Sequence, residues 1–183
     1  MYLNRIKALL IEMKLANISN LLISDSASIA YLIAYHTSPG ERLLLLTIDS
    51  EGHLTLYLNK LFPAFETEEL LKKVEVIYYS DGEPVLSTIA NQLHTGKTGI
   101  DKNWPSHFLL DLMSFTQNLE PVQGSVLIDQ LRSVKTADEQ TTMKIASAKN
   151  DQAMEGLFNL ISLGLTEAQM VDELSKLYVS LEC

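Results

Sequence analysis

The chain has 183 residues, 46% hydrophobic and 20% charged, with a formal net charge of −9 and one cysteine, Cys183. A chain of this length buries roughly 70% of the surface its unfolded form exposes, enough for one core with an appendage. The acidity, unbroken by any Lys/Arg cluster, argues against nucleic acid and anionic membrane as partners, and a lone thiol supports neither an internal disulfide nor a Cys-based zinc site.

The opening stretch carries Leu3, Ile6, Leu9, Leu10 and Met13 at helical spacing, which predicts an amphipathic helix lying on a core. Arg5, Lys7, Glu12 and Lys14 interrupt it and no small-residue cleavage site follows, so it does not read as a signal peptide. No apolar run reaches the ~20 residues needed to span a bilayer. The expected compartment is cytoplasmic.

Residues 20–24 predict a short buried strand, and Asp25 or Ser26 can cap a brief helix through Leu32. Residues 35–41, rich in Ser, Pro and Gly, form a loop. The apolar run 42–48 suits a central strand covered on both faces. With the alternating run 53–59 and the turn residues 49–52 it predicts a hairpin.

A helix is expected over 64–74, a strand over 74–79, and a helix starting with Pro84 as its first residue. A short strand follows at 96–101, a helix at 106–115 and an edge strand at 119–123, where Pro121 cannot donate to a ladder. Strands interleaved with helices and containing one hairpin give an α/β domain with a mixed sheet of about six strands.

From Thr136 the pattern becomes helical to the end. Thr136 with Glu139, and Thr166 with Gln169, have the spacing of capping boxes, in which side chain and backbone satisfy each other's orphan groups. Met143, Ala146, Met154, Leu157, Phe158 and Ile161 mark one face of a helix to about Leu163, with Gly164 stopping it. Ala168, Val171, Leu174, Leu177, Tyr178 and Leu181 mark a second.

No phosphate-cradling Gly loop, nucleophile elbow or His-Glu-x-x-His motif occurs. His36, His53, His94 and His107 are not paired at ligand spacing, and His53 and His94 read as surface residues. The nearest thing to a functional constellation is the loop holding Tyr35, His36, Glu41 and Arg42. Two readings stay open for it. Arg42 could brace the loop through Glu41 or a carbonyl, or the loop could be offered to a partner's pocket.

The opening helix, the segment 21–59, the strand 74–79 with its turn, and Leu131-Arg132-x-x-Lys135-x-x-x-Glu139 together resemble the creatinase-type N-terminal domain of Xaa-Pro peptidases, a group that includes aminopeptidase P. Gly164, Thr166 and Glu167 are similar to the start of the second helix of the following domain. The resemblance is nearest to bacterial prolidases and covers essentially the whole chain.

It implies a ribonuclease H-like α/β domain over 1–131, an interdomain linker over 132–136 carrying Arg132 and Lys135, and two helices of a truncated metallopeptidase domain over 137–183, the first bearing Glu139. It also implies a homodimer in which the substrate-access loop, with His36, Ser38 and Arg42, approaches the partner's active site. Complete members are hydrolases of proline-containing dipeptides that use two divalent ions such as manganese. Their two Asp, one His and two Glu ligands lie beyond the point where this sequence stops, so no catalytic residue or metal ligand is expected in this chain. The competing expectation is a free-standing protein-interaction domain of the same fold. Nucleic acid and membrane remain unexpected partners.

Overall fold

A computed structural model of the chain describes residues 2–65, 73–117, 119–161 and 164–182. It divides into two compact units, residues 1–133 and 134–183. The first opens with α1 (Tyr2–Leu15), β1 (Ile18–Ile23), α2 (Ser26–Ile33), β2 (Leu45–Asp49), β3 (Leu54–Asn59) and β4 (Val74–Tyr79). It continues with α3 (Val85–Gln92), β5 (Gly96–Ile100), α4 (Ser106–Phe115), β6 (Leu119–Gln123) and α5 (Ser125–Ser133). The helix expected over 64–74 falls largely outside the described residues.

The strands form one mixed sheet in the order β4-β3-β2-β1-β5-β6. β2 pairs antiparallel with both neighbours and every other pairing is parallel, so β2 alone runs against the other five. β6 is an edge strand, as Pro121 requires.

Each face buries a separate core. Ile6, Leu9 and Met13 of α1, Ile29 and Leu32 of α2, and Leu127 and Ile128 of α5 pack on Leu21, Leu46, Leu56 and Leu58. On the other face Ile89 of α3 and Leu112 of α4 meet Leu22, Leu45 and Tyr57. The apolar run thus works as a strand covered on both sides, with Leu44, Leu46 and Ile48 in one core and Leu43 and Leu45 in the other. Regular pairing starts only at Leu45, three residues later than the run suggested.

Two expectations need correcting. Leu3 is exposed instead of joining the core face of α1. Pro84 sits before α3, at its N-cap, with φ −79° and ψ 56°, outside the helical region. Residues 125–133 form α5, so Arg132 belongs to the last turn of a packed helix. Its Leu127 and Ile128 share a core with Ile6, Leu9 and Met13 of α1.

The carboxyl ends of the strands are tied together by Asp101, which is 6% exposed. Its Oδ2 accepts from the N–H groups of Ser24 and Asp25 at 3.2 and 2.9 Å, and its Oδ1 from Asn103 N–H and Ser125 Oγ at 2.9 and 3.2 Å. Asp25 in turn caps α2, accepting from Ser28 N–H at 2.9 Å and Ser28 Oγ at 2.7 Å. Arg132 reaches the same point, donating to Ser28 Oγ at 3.3 Å with its Nη1 3.5 Å from Asp25 Oδ2.

In the second unit α6 (Ala137–Phe158) and α7 (Glu167–Ser180) form an antiparallel hairpin, and both expected capping boxes are present. Lys149 Nζ donates to Glu182 O at 3.0 Å and Tyr178 Oη to Asn150 Oδ1 at 2.7 Å. Leu157, Leu174 and Tyr178 are half-buried, whereas Met143, Phe158 and Ile161 are more than half exposed. Regular helix in α6 ends at Phe158, short of the expected Leu163. No described helix is long and apolar enough to cross a membrane.

Two measurements check these tethers. A Cβ on Gly124 would stand 2.7 Å from Gly99 C and 2.5 Å from Leu21 Cδ1, so backbone would have to give way. Gly124→Ala should lower the unfolding free energy by about 1–3 kcal/mol, and an unchanged denaturant midpoint would show that the strands accommodate it. Asp25 is held below its ordinary value of 3.8. Burial opposes its ionisation, but the hydrogen bonds from Ser28 and Asn103 and the Arg132 charge outweigh it. With a depressed folded value, its contribution is complete above pH 3.8 and is lost as the pH falls through the folded value. Asp25→Asn should cost about 1 kcal/mol at neutral pH, with the deficit shrinking in acid. A deficit independent of pH would assign it to geometry instead of charge.

Candidate functional site

The loop between α2 and β2 is fixed at both ends by buried aromatic groups. Tyr35, grouped with the polar loop residues in the sequence, is instead 5% exposed. Its hydroxyl donates to Pro63 O at 2.8 Å and its ring meets Phe65 edge-on at 5.7 Å. At the far end Tyr79 Oη donates to Leu43 O at 2.6 Å. Between these anchors a turn is closed by Arg42 N–H to Pro39 O at 3.1 Å, with Gly40 at φ +59°. His36, Ser38 and Arg42 are all exposed on this stretch.

Arg42 is braced, though by neither of the partners considered from the sequence. Its Nε lies 3.1 and 3.2 Å from the two oxygens of Asp81, and its Nη2 2.8 Å from Oδ2. That bidentate contact uses one edge of the guanidinium. The Nη1 side makes no hydrogen bond with the described residues and stays available to a second carboxylate. Asp81 is itself aimed by Asn59, whose Nδ2 donates to Oδ1 at 2.6 Å. The Arg42 bond, followed by burial working the other way and the Asn59 bond, holds the Asp81 carboxyl below its usual range. The same bond to Asp81 raises Arg42 above its already high value.

Beside the pair lies an open groove of about 410 Å³, floored by Leu86, Phe108 and Phe115 and rimmed by Glu41, Asp81 and Asp111. The loop therefore presents one cation, Arg42, to a partly apolar groove, while His36 and Ser38 are exposed outside its lining. The arrangement can grip and orient a carboxylate.

The motif residues Arg132, Lys135 and Glu139 behave differently. Arg132 is occupied by Asp25 and Ser28. Glu139 Oε2 accepts from Thr136 N–H at 2.8 Å in the capping box, and the Lys135 carbonyl accepts from Gln140 Nε2 at 3.0 Å. These contacts hold secondary structure in place.

One cluster went unnoticed in the sequence. His53 Nδ1 and His94 Nε2 lie 2.8 and 3.4 Å from Asp49 Oδ2. Spacing could not reveal it, since 41 positions separate the two histidines and strand pairing alone unites them. The bond to Asp49 raises His53 above its ordinary value. Among the described residues no three His, Cys, Asp or Glu side chains are grouped so as to hold a metal ion.

No curated protein matches the chain, but solved structures do. The dipeptidase PepE of Mycobacterium ulcerans is 25% identical with a TM-score of 0.81, matched over 98% of this chain and 49% of its own. A recombinant prolidase of Thermococcus sibiricus is 22% identical with a TM-score of 0.82, matched over 97% and 49%. A proline dipeptidase from Streptococcus pneumoniae, 21% identical with a TM-score of 0.59, is matched over 71% of this chain and 98% of its own. The chain spans about half the length of the first two. Residues 5–134, from within α1 through α5, match the creatinase/prolidase N-terminal domain, and on that match together with the six-stranded sheet the chain belongs to the creatinase/prolidase N-terminal domain family.

Proposed function

We propose that the chain serves as the non-catalytic N-terminal part of a Xaa-Pro metallodipeptidase, building its homodimer and shaping access to the partner's active site. The observation that carries this reading is the extent of the PepE match, 98% of this chain against 49% of that one, which takes in both units. On this reading residues 1–131 are the supporting domain, 132–136 the linker and 137–183 the opening helices of the metallopeptidase domain. The exposed apolar residues Met143, Phe158 and Ile161 are then faces for that domain to cover.

On this reading the exposed loop residues His36, Ser38 and Arg42 face the partner's active site, and Arg42 also lines the groove on this chain. Arg42, held at one edge by Asp81, offers its other edge to the substrate's C-terminal carboxylate. The two divalent ions implied by the family resemblance have no matching ligand set among the described residues. A second reading, a free-standing interaction domain, draws on the Streptococcus pneumoniae chain, 98% of which is matched by 71% of this one.

Dipeptide hydrolysis and sedimentation by the protein that carries this chain, supplied with manganese, separate the two. The first reading expects a dimer that cleaves Xaa-Pro dipeptides. Arg42→Ala should raise KM roughly tenfold, a loss of about 1.4 kcal/mol of binding, with kcat close to unchanged. Unchanged KM would overturn the role of Arg42. A protein without dipeptidase activity would favour the interaction domain.

A further inference from the structure

The sheet face under α3 and α4 carries a row of polar residues where packing alone would favour apolar ones. Residues directly opposite on neighbouring strands share a face. Thr47 pairs with Thr55 and Thr55 with Glu75, setting two hydroxyls and a carboxyl side by side across β2, β3 and β4. Two residues along, Tyr57 and Asp49 continue the same face. These groups, with Ile89, Gln92 and Leu93, wall a cavity of about 180 Å³.

Most of the polar groups there are already satisfied. The Asp49 carboxyl is closed by His53 and by the N–H groups of Glu51 and His53, and the Tyr57 hydroxyl donates to Gln92. Two are not. Thr55 is 9% exposed, and its hydroxyl makes no hydrogen bond among the described residues. Glu75, its cross-strand partner, has neither ion pair nor side-chain hydrogen bond among them.

We infer that this cavity binds a small organic cation, a primary ammonium on a short aliphatic body, with the ammonium between the Glu75 carboxyl and the Thr55 hydroxyl and the body against Ile89 and Leu93. The charge follows from Glu75, the unpaired carboxyl on the wall. The aliphatic body follows from the apolar side supplied by the end of α3. The acceptors are strung along a wall instead of converging, which suits a molecule charged at one end better than a bare metal ion. Burial first, and then the Glu75 charge, push the Tyr57 hydroxyl up to about 12, so it stays neutral while donating to Gln92.

The test is titration of n-butylammonium into the whole protein at neutral pH, followed by calorimetry and by the Thr55 methyl resonance. Saturable binding is expected, with butan-1-ol, the same size without the charge, at least about tenfold weaker. Glu75→Gln, on an exposed position, should weaken the amine by about tenfold. Thr55→Val, which keeps the side chain's shape, should weaken it severalfold with a thermal midpoint no lower than the parent's, showing that it folds. Absence of saturation, equal binding of butan-1-ol, or an unchanged affinity in Glu75→Gln would overturn the inference. So would calcium alone producing the same saturable shift and excluding the amine.

Discussion

Four hydrogen bonds converge on the buried carboxyl of Asp101, and the geometry at the carboxyl ends of the strands depends on them. A carboxyl so far from water is tolerable only with its acceptor sites filled. Filling them fixes where β1 gives way to α2, where the chain leaves β5, and where α5 begins after β6. Asp25 passes that constraint on, because the residue whose N–H is held by Asp101 is also the N-cap of α2 and the counter-ion of Arg132. The last turn of α5 is thus registered against the first strand through two carboxyl groups.

The second constraint is steric. Gly99 and Gly124 approach so closely that neither has room for a Cβ, which lets the chain turn from β6 into α5 directly over β5. The loop bearing His36, Ser38 and Arg42 inherits its position from the same rigid body. Tyr35 and Tyr79 anchor its two ends in the cores while the polar residues between stay in water. Side chains held this way meet a ligand with little further loss of conformational freedom. That is the physical argument behind the proposed role of this loop.

Polar residues on a buried sheet face divide into those the fold itself satisfies and those it does not. Asn20, 2% exposed, belongs to the first kind: it donates to His94 O at 2.8 Å and Thr98 Oγ1 at 3.1 Å, and accepts from His94 N–H at 2.9 Å. Its bonds splice β1 to the turn before β5. Thr55 and the exposed Glu75 have no side-chain partner among the described residues, and the cavity opens beside them. The Arg42 loop and this cavity involve different residues, so substitutions in one leave the other's chemistry in place.

Much of the architecture was legible in the sequence because it rests on local rules. Apolar period distinguishes the helix of residues 2–15 from the alternating strand 54–59. Pro121 marks an edge, and Thr-x-x-Glu and Thr-x-x-Gln mark two helix starts through bonds that span only three residues. The motif 131–139 pointed to the family. What the sequence could not determine are the pairings between distant positions. Arg42 met Asp81 instead of Glu41 because β4 lies at the sheet edge near its loop. His53 and His94 met at Asp49 because β1 stands between β2 and β5. Residues 125–133 form a helix whose Leu127 and Ile128 share a core with distant α1. Local free-energy differences of a few tenths of a kcal/mol per residue choose helix or strand. Which charged and polar groups then share a site follows from strand order, and that is settled only when the whole sheet assembles.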